Sequence, residues 1–365
     1  MSLSSVPPHP ADASPARDDP RRDALLAWLA TCPGGVESLP ASLRAASADA
    51  SFRRYFRVAA PAGAADATLI VMDAPPDKED VGRFCDVAAV LRAAGLSVPR
   101  VLAQDRELGL VLLSDLGSTT YLDALLVARE QQRQADCDTL MRDALAALVR
   151  LQGVGAAWPA YDAQRLQAEM DLFPEWYLGR HLQAELTPLE QQGLRRVMDA
   201  LLRNVLAQPA VPVHRDYHSR NLMVLPGHAE CGNPGVLDFQ DAVLGPITYD
   251  LVSLLRDAYI AWPEAQQIDW AVRYWEMARR AGLPVQDDFG AFYRDFEWMG
   301  LQRQLKVLGI FARLYHRDGK AQYLQDMPQV LEYARAVASR YDEFAPLLRL
   351  LDRLRGVQHS HSYTF

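Results

Sequence analysis

The stretch VPVHRDYHSRNLMVLP, residues 211–226, and its continuation GVLDFQDAVLGPITYDLVSLL, residues 235–255, decide how this chain is read. Two short β-forming runs, NLMVL and GVLDF, flank a turn rich in Gly, Pro and Asn, which predicts a hairpin. Asp216 precedes Asn221 by five positions, and Asp238 ends the second run. A hairpin returns Asn221 and Asp238 to the same place. Taken singly, Asp and Asn in such segments cap turns. The literal His-Arg-Asp, the spaced Asn and an Asp-Phe at the end of the next strand occur here together, and that combination asks for a chemical reading.

Phosphoryl transfer from a nucleotide supplies one. A carboxylate must accept the proton of the attacking hydroxyl, and oxygen ligands must hold magnesium against the β- and γ-phosphates. Both must stand on rigid backbone beside the same phosphate. Asp216 suits the base, while Asn221 and Asp238 offer a neutral and an anionic oxygen to a hard cation.

The rest of the sequence bounds this reading. With 365 residues, half of them apolar and charged residues at 23%, the chain is a globular protein long enough for two lobes. A formal net charge of −8 speaks against a general nucleic-acid binder. Cys32, Cys85, Cys137 and Cys231 have no CxxC spacing, so reduced thiols are expected rather than a zinc site or a disulfide framework. The N-terminal segment MSLSSVPPHPADASPARDDPRR lacks an apolar core and reads as a flexible tail, not a secretory signal. No apolar run approaches the roughly 20 residues that span a bilayer. A cytoplasmic protein is expected, with no nucleic acid, membrane or obligate protein partner.

A helix is predicted at RRDALLAWLATC, then two strands within residues 50–76, a helix over DKEDVGRFCDVAAVLRAAGL and two more strands up to SDLG. Val81, Phe84, Cys85, Ala88 and Leu91 share one face of the second helix, with Gly95 closing it. The expected organisation is a tail at 1–20, a first lobe at 21–113 built on a small antiparallel sheet, a connection at 114–118 and a larger, mainly helical lobe at 119–365. The fold class is α+β.

These features resemble the aminoglycoside phosphotransferase and choline-kinase family of the bilobal protein-kinase-like fold, over nearly the whole chain from about residue 25. The resemblance implies that the first lobe and the connection hold ATP, which assigns Ser51, Arg53, Arg54, Arg57, Ser114, Asp115 and Leu116 to the nucleotide. It implies Mg2+ as cofactor and a small-molecule acceptor on the helical lobe. Asp250 matches the helix-start Asp that braces the catalytic loop in the family, and His214 is expected to orient that loop. SFRRYFRV, LIVMDAPP, HRDYHSRNLMV, DFQDAVLGPITYDLVSLLRDAY and QRQLKVLGIFARLYHRDGK are similar, more narrowly, to the anomeric amino-sugar kinases of bacterial cell-wall (peptidoglycan) recycling. That likeness implies ATP-dependent phosphorylation of the C1 hydroxyl of N-acetylmuramate and N-acetylglucosamine. An aminoglycoside or other small-alcohol kinase, and a nucleotide-binding pseudokinase, are the alternative readings.

The chain departs from the protein-kinase pattern in its first lobe. ADASFRRYFRV has no glycine where a phosphate loop is expected, and LIVMD places Met72 or Asp73 where a lysine is expected. Arg53, Arg54, Arg57 and Lys78 are the candidate replacements, since guanidinium forks suit phosphate. Glu79 is a possible partner for such a cation, and equally an ordinary first-turn carboxylate.

The acceptor side is expected on the amphipathic segment Phe292 to Leu314. Phe296, Met299, Leu308 and Phe311 form its apolar face, with Gln302, Lys306 and Arg313 on the polar side and Arg303 beside Lys306. Such a side is ordinarily a solvated charged face; its functional reading is that Arg303, Lys306 or Arg313 meets the carboxylate of N-acetylmuramate. His218, Arg220 and Gln240 are further acceptor candidates, and Asp241 is either a supporting residue or a turn residue. Trp176 and Tyr177 could stack on a sugar or belong to the core.

Overall fold

In the computed structural model, residues 19–32, 43–48, 52–61, 63, 67–225 and 231–356 are described. Two compact units divide the chain, Met1–Cys85 with Arg100–Asp115, and Asp86–Pro99 with Leu116–Phe365. Ser51 and residues 1–18 of the expected tail lie outside the described residues. Asp19 and Pro20, also assigned to that tail, instead start a helix. Helix α1 is Pro20–Leu29, and the Asp19 carboxylate accepts hydrogen bonds from the Arg21 and Arg22 amides. Proline is tolerated there because a first-turn N–H has no helical partner to lose.

The first unit is a five-stranded antiparallel sheet ordered β1-β2-β3-β5-β4. Its strands are β1 (Arg44–Ala48), β2 (Arg54–Ala59), β3 (Thr68–Asp73), β4 (Val101–Asp105) and β5 (Leu110–Ser114). Alternation decides its faces: Leu69 and Val71 of β3, and Leu110 and Leu112 of β5, join Val58 under Leu25, Trp28 and Leu29 of α1. Four of these strands follow the expected order. The fifth, β1, reads RAASA, whose alanines and serine carry little β preference, and its pairing with β2 completes the sheet. Helix α2 (Val81–Ala93) buries Val81, Phe84, Cys85, Ala88 and Leu91, the expected face. Gly95 follows it at φ +76°, a left-handed conformation that ends helices cheaply only in glycine.

The second unit is mainly helical. Helices α3 (Tyr121–Glu130), α4 (Gln134–Gln152), α5 (Ala163–Leu172) and α6 (Pro188–Ala207) come first, then α7 (Tyr249–Leu255), α8 (Glu264–Arg280), α9 (Phe289–Asp318), α10 (Met327–Ala338) and α11 (Ala345–Leu354). Thr120 with Asp123 and Thr187 with Glu190 form capping boxes that start α3 and α6, while Asp162 and Asp288 cap α5 and α9. The 30-residue α9 is the axis of the core: its Leu301, Leu305 and Leu308 pack with Phe173, Leu201 and Leu347. A Cβ on Gly309 would stand 2.5 Å from Leu172, so only glycine lets α9 approach the end of α5 this closely. A π-helical segment, Phe173–His181, continues α5. No helix among the described residues is long and apolar enough to cross a membrane.

Two small antiparallel pairs interrupt the helices: β6 (Ala210–Val213) with β9 (Val243–Pro246), and β7 (Leu222–Met223) with β8 (Gly235–Val236). The second is the hairpin expected from NLMVL and GVLDF. Together they hold the segment that carries the polar motif.

Candidate active site

Val213 and Val243 are partners in the β6–β9 pair, so the chain leaves the core at His214 and returns beside its point of exit. Inside that closed loop, Leu222 pairs with Val236, and the Leu237 amide donates to the Asn221 carbonyl at 2.9 Å. The expected convergence follows from this register. The Asn221 amide nitrogen donates to the Asp216 carbonyl at 2.9 Å and lies 3.5 Å from the Asp238 carboxylate. Gln240, expected at the acceptor, donates through Nε2 to Asp238 at 2.9 Å and so orients that carboxylate.

Arg215 and Asp238 have φ of +78° and +61°, two of the four described non-glycine residues with positive φ. Such conformations cost on the order of 1–3 kcal/mol and persist where the surroundings over-determine them. For Arg215 the fixing group is Asp250. This buried carboxylate accepts the His214 amide at 2.6 Å and the Arg215 amide at 3.0 Å. Burial pushes the Asp250 carboxyl up to about 6, against the pull of His214 and the two amides. His214 is fully buried, its Nδ1 accepting from the Asp216 amide at 3.2 Å and its Nε2 facing the Leu237 carbonyl at 2.9 Å. One imidazole thereby ties the Asp216 loop to the strand that precedes Asp238. Burial holds that imidazole below its ordinary range, in the neutral form this bonding requires. Asp257 fastens the other end, accepting from the Ser219 amide at 3.0 Å and hydroxyl at 2.5 Å.

Charges next to Asp216 come from an arrangement the sequence motifs did not announce. Glu169, on α5, receives Arg215 at 2.5 Å, Lys306 at 3.0 Å and the Tyr161 hydroxyl. Lys306 also donates to the Tyr249 hydroxyl at 2.8 Å. Burial would raise the Glu169 carboxyl, but Lys306 and Arg215 outweigh it and hold it below the usual range. Asp216 follows the same logic. Desolvation raises it, while Lys306, His218, Arg303 and Arg215 together keep it below the ordinary aspartate range, and therefore ionised at neutral pH. The one signal for Glu169 in sequence was a carboxylate flanked by Leu166 and Met170, both of which are buried.

The expectation of a solvated polar face on α9 does not survive. Gln302, Arg303, Gln304 and Lys306 are all buried, because α9 is wrapped by α5, α6, α7 and α10 rather than lying on the surface. Arg313 is half-buried and ten residues beyond Arg303, about 15 Å along the helix axis, so it is not brought to Asp216. His218 stands edge-on to Tyr259, with ring centroids 5.4 Å apart, and exposed Arg220 lies 3.5 Å over the face of the same ring. Asp241 is exposed. Tyr177 is buried and stacked on Phe173, and half-buried Trp176 packs against the same core, so both aromatics are core residues.

In the first unit the nucleotide candidates already have company. Arg54 reaches both Asp73 and Asp19 at 2.5 Å, and Arg21 also binds Asp73. Arg57 meets Asp115 at 2.5 Å, and Thr68 donates to the same carboxylate at 2.7 Å. The Ser114 hydroxyl accepts the Arg100 amide at 2.9 Å. Arg53 is buried 3.5 Å from Glu79, a cation–carboxylate pair joining the start of β2 to the approach to α2. Lys78 is exposed beside Asp77 and Phe52. In the second unit, half-buried Leu116 packs toward Gly235 of β8.

An aspartate-bearing loop braced by a buried carboxylate, on a protein-kinase-like fold, defines a phosphotransferase. The sequence profile of the phosphotransferase enzyme family matches residues 42–285, and the chain belongs to that family. The N-acetylmuramate/N-acetylglucosamine kinase of Neisseria meningitidis serogroup B is 49% identical over 338 residues, covering 92% of this chain and 96% of that protein. Its namesake in Pseudomonas aeruginosa is 47% identical over 346 residues, covering 92% and 98%. Among solved structures, the ethanolamine kinase of Plasmodium vivax superimposes with a TM-score of 0.61 at 9% identity, covering 94% of this chain and 93% of its own. A choline kinase from Cryptosporidium parvum gives 0.58 at 10% identity, covering 90% and 99%. These two share the fold.

Proposed function

We propose that this protein transfers the γ-phosphoryl group of ATP to the anomeric C1 hydroxyl of N-acetylmuramate and N-acetylglucosamine, a step of peptidoglycan recycling. The observation that carries the reading is the junction of Asp216, Asn221 and Asp238 on a doubly braced loop, in a chain nearly half identical to kinases of those two sugars. Asp216, ionised and held by the His214 and Asn221 contacts, accepts the hydroxyl proton as the oxygen–phosphorus bond forms. Its depressed basicity suits a proton taken late, when the attacking oxygen has lost most of its electron density to phosphorus. Lys306 and Arg215 stay charged beside Glu169 and keep Asp216 in that state.

Asn221 and Asp238 fit a magnesium ion. Their polar ends stand 3.5 Å apart, both can present oxygens, and two protein ligands leave room for the phosphates and waters that magnesium prefers. When bound, the ion supplies charge neutralisation on the phosphates. Arg53, set by Glu79, is the cation we assign to the nucleotide phosphates in place of a strand lysine. The test is phosphorus NMR of product formed from ATP, magnesium and each of N-acetylmuramate, N-acetylglucosamine and kanamycin. A sugar 1-phosphate signal, split by the anomeric proton, is the expected result. Transfer to kanamycin alone would replace the acceptor while leaving the loop's chemistry in place, and absence of transfer to all three would overturn the reading.

A further inference from the structure

Four basic side chains act on Asp216, and two of them have a carboxylate at contact distance. Arg215 and Lys306 share Glu169, and Lys306 has Tyr249 as well. His218 leaves its Nδ1 buried without a partner, but burial holds the imidazole below its ordinary range, so it brings no charge that needs an anion. Arg303 is different. Its side chain is 7% exposed, yet among the described residues it has no carboxylate within 4 Å and its Nε is buried without a hydrogen-bond acceptor. Its ring contact is a distant cation–π approach, 5.9 Å from the centre of the Tyr249 ring, the ring that Lys306 also faces. A guanidinium removed from water costs several kcal/mol unless an anion and acceptors meet it. Natural folds accept such a cost where a ligand completes the pairing.

We infer that Arg303 is the residue that recognises the carboxylate of the acceptor, forming with the lactyl group of N-acetylmuramate the ion pair that the fold withholds from it. The inference rests on the function proposed above. Three observations favour the acceptor's carboxylate. Arg303 stands on α9 one turn from Lys306, within electrostatic reach of Asp216, where the acceptor hydroxyl must lie. The planar guanidinium fork matches a carboxylate with two hydrogen bonds. The relatives named for both sugars act on one acceptor with a carboxylate and one without, so a cation that serves only the acid fits their pair of substrates. Lys306 is already engaged, with Glu169 at 3.0 Å and the Tyr249 hydroxyl at 2.8 Å. Arg313 is too far along α9.

The experiment compares kcat/KM for the two sugars, and for the methyl ester of N-acetylmuramate, in the full chain and in Arg303→Met. The preference for N-acetylmuramate over N-acetylglucosamine is expected to fall roughly tenfold to hundredfold in the variant, mostly through KM. The methyl ester should impose a similar penalty on the unaltered protein and almost none on the variant. Arg303→Lys, which keeps the charge and loses the fork, should fall between the two and serves if the methionine variant does not fold. Equal losses on both sugars through kcat would place Arg303 on the transferring phosphoryl group and overturn the inference. An unchanged preference would overturn it too. Both outcomes leave the proposed reaction standing, whereas an unaltered protein inactive on both sugars would remove the reaction and the inference together.

Discussion

Three arginines of the first unit and Arg303 of the second live under opposite conditions. In the first unit Arg54 and Arg21 close on Asp73, and Arg57 closes on Asp115, so each of these guanidinia, though a third or so exposed, has a carboxylate at contact distance. In the second unit Arg303 is nearly out of water and has none among the described residues. Pairing where water is at hand braces the fold; burial without pairing is the observation on which the proposed carboxylate contact of Arg303 rests. The difference teaches that exposure and charge, read alone, point the wrong way: these accessible arginines are spoken for, whereas interior Arg303 is the one we propose for a ligand.

The sharpest test of the poised side is Asp216→Asn, which keeps the loop's shape and removes the base. Turnover is expected to fall by roughly 10²–10⁴ with ATP affinity little changed; a near-normal rate in a single-turnover assay would sink the base assignment. Next comes Asp238→Ala. Loss of the anionic oxygen should raise the magnesium concentration for half-maximal rate by at least roughly tenfold, alongside a slower maximum. An unaltered magnesium titration would break the metal assignment.

Asp73→Ala probes the braced side. Asp73 is fully buried, and its removal leaves Arg21 without its carboxylate and Arg54 with Asp19 alone, each arginine about a third exposed. Discounted for that exposure, the expected loss is about 2 kcal/mol of stability in urea unfolding. Loss of turnover with unaltered unfolding would instead move those arginines into the chemistry and dissolve the contrast. The smallest effect expected is in the pH profile. Asp250 must be ionised to accept both the His214 and Arg215 amides, so kcat/KM should decline below about pH 6 as this carboxyl, raised to about 6, takes up a proton. The stability term has the opposite sign. A carboxyl raised in the fold from 3.8 contributes fully below that value and loses its contribution as pH rises through about 6. An acid limb confined to the lower range expected for Asp216 would remove Asp250 from the profile.

Much of the fold was legible in sequence because it depends on short-range pattern. Alternating Leu69 and Val71 announce a strand, the helical recurrence of Val81, Phe84, Ala88 and Leu91 announces a helix, and the NLMVL and GVLDF runs announce a hairpin. Strand β1 escaped because its RAASA sequence has no β preference of its own. The spacing of Asp216, Asn221 and Asp238 was readable for the same reason as the hairpin: neighbours across a turn are near in the chain.

The sequence by itself determined the α+β class, the hairpin and the spacing of Asp216, Asn221 and Asp238, since each is encoded by local periodicity or by spacing within some forty residues. Only the tertiary structure decided which cations have a carboxylate partner. Glu169 lies 46 positions from Arg215 and 137 from Lys306 in the chain, and no pattern links them. Their meeting depends on α5 packing against α9, and that packing also takes Arg303 out of water. Charge pairing inside a core is settled by which helices touch, and contact between distant segments is a property of the fold rather than of any stretch of its sequence.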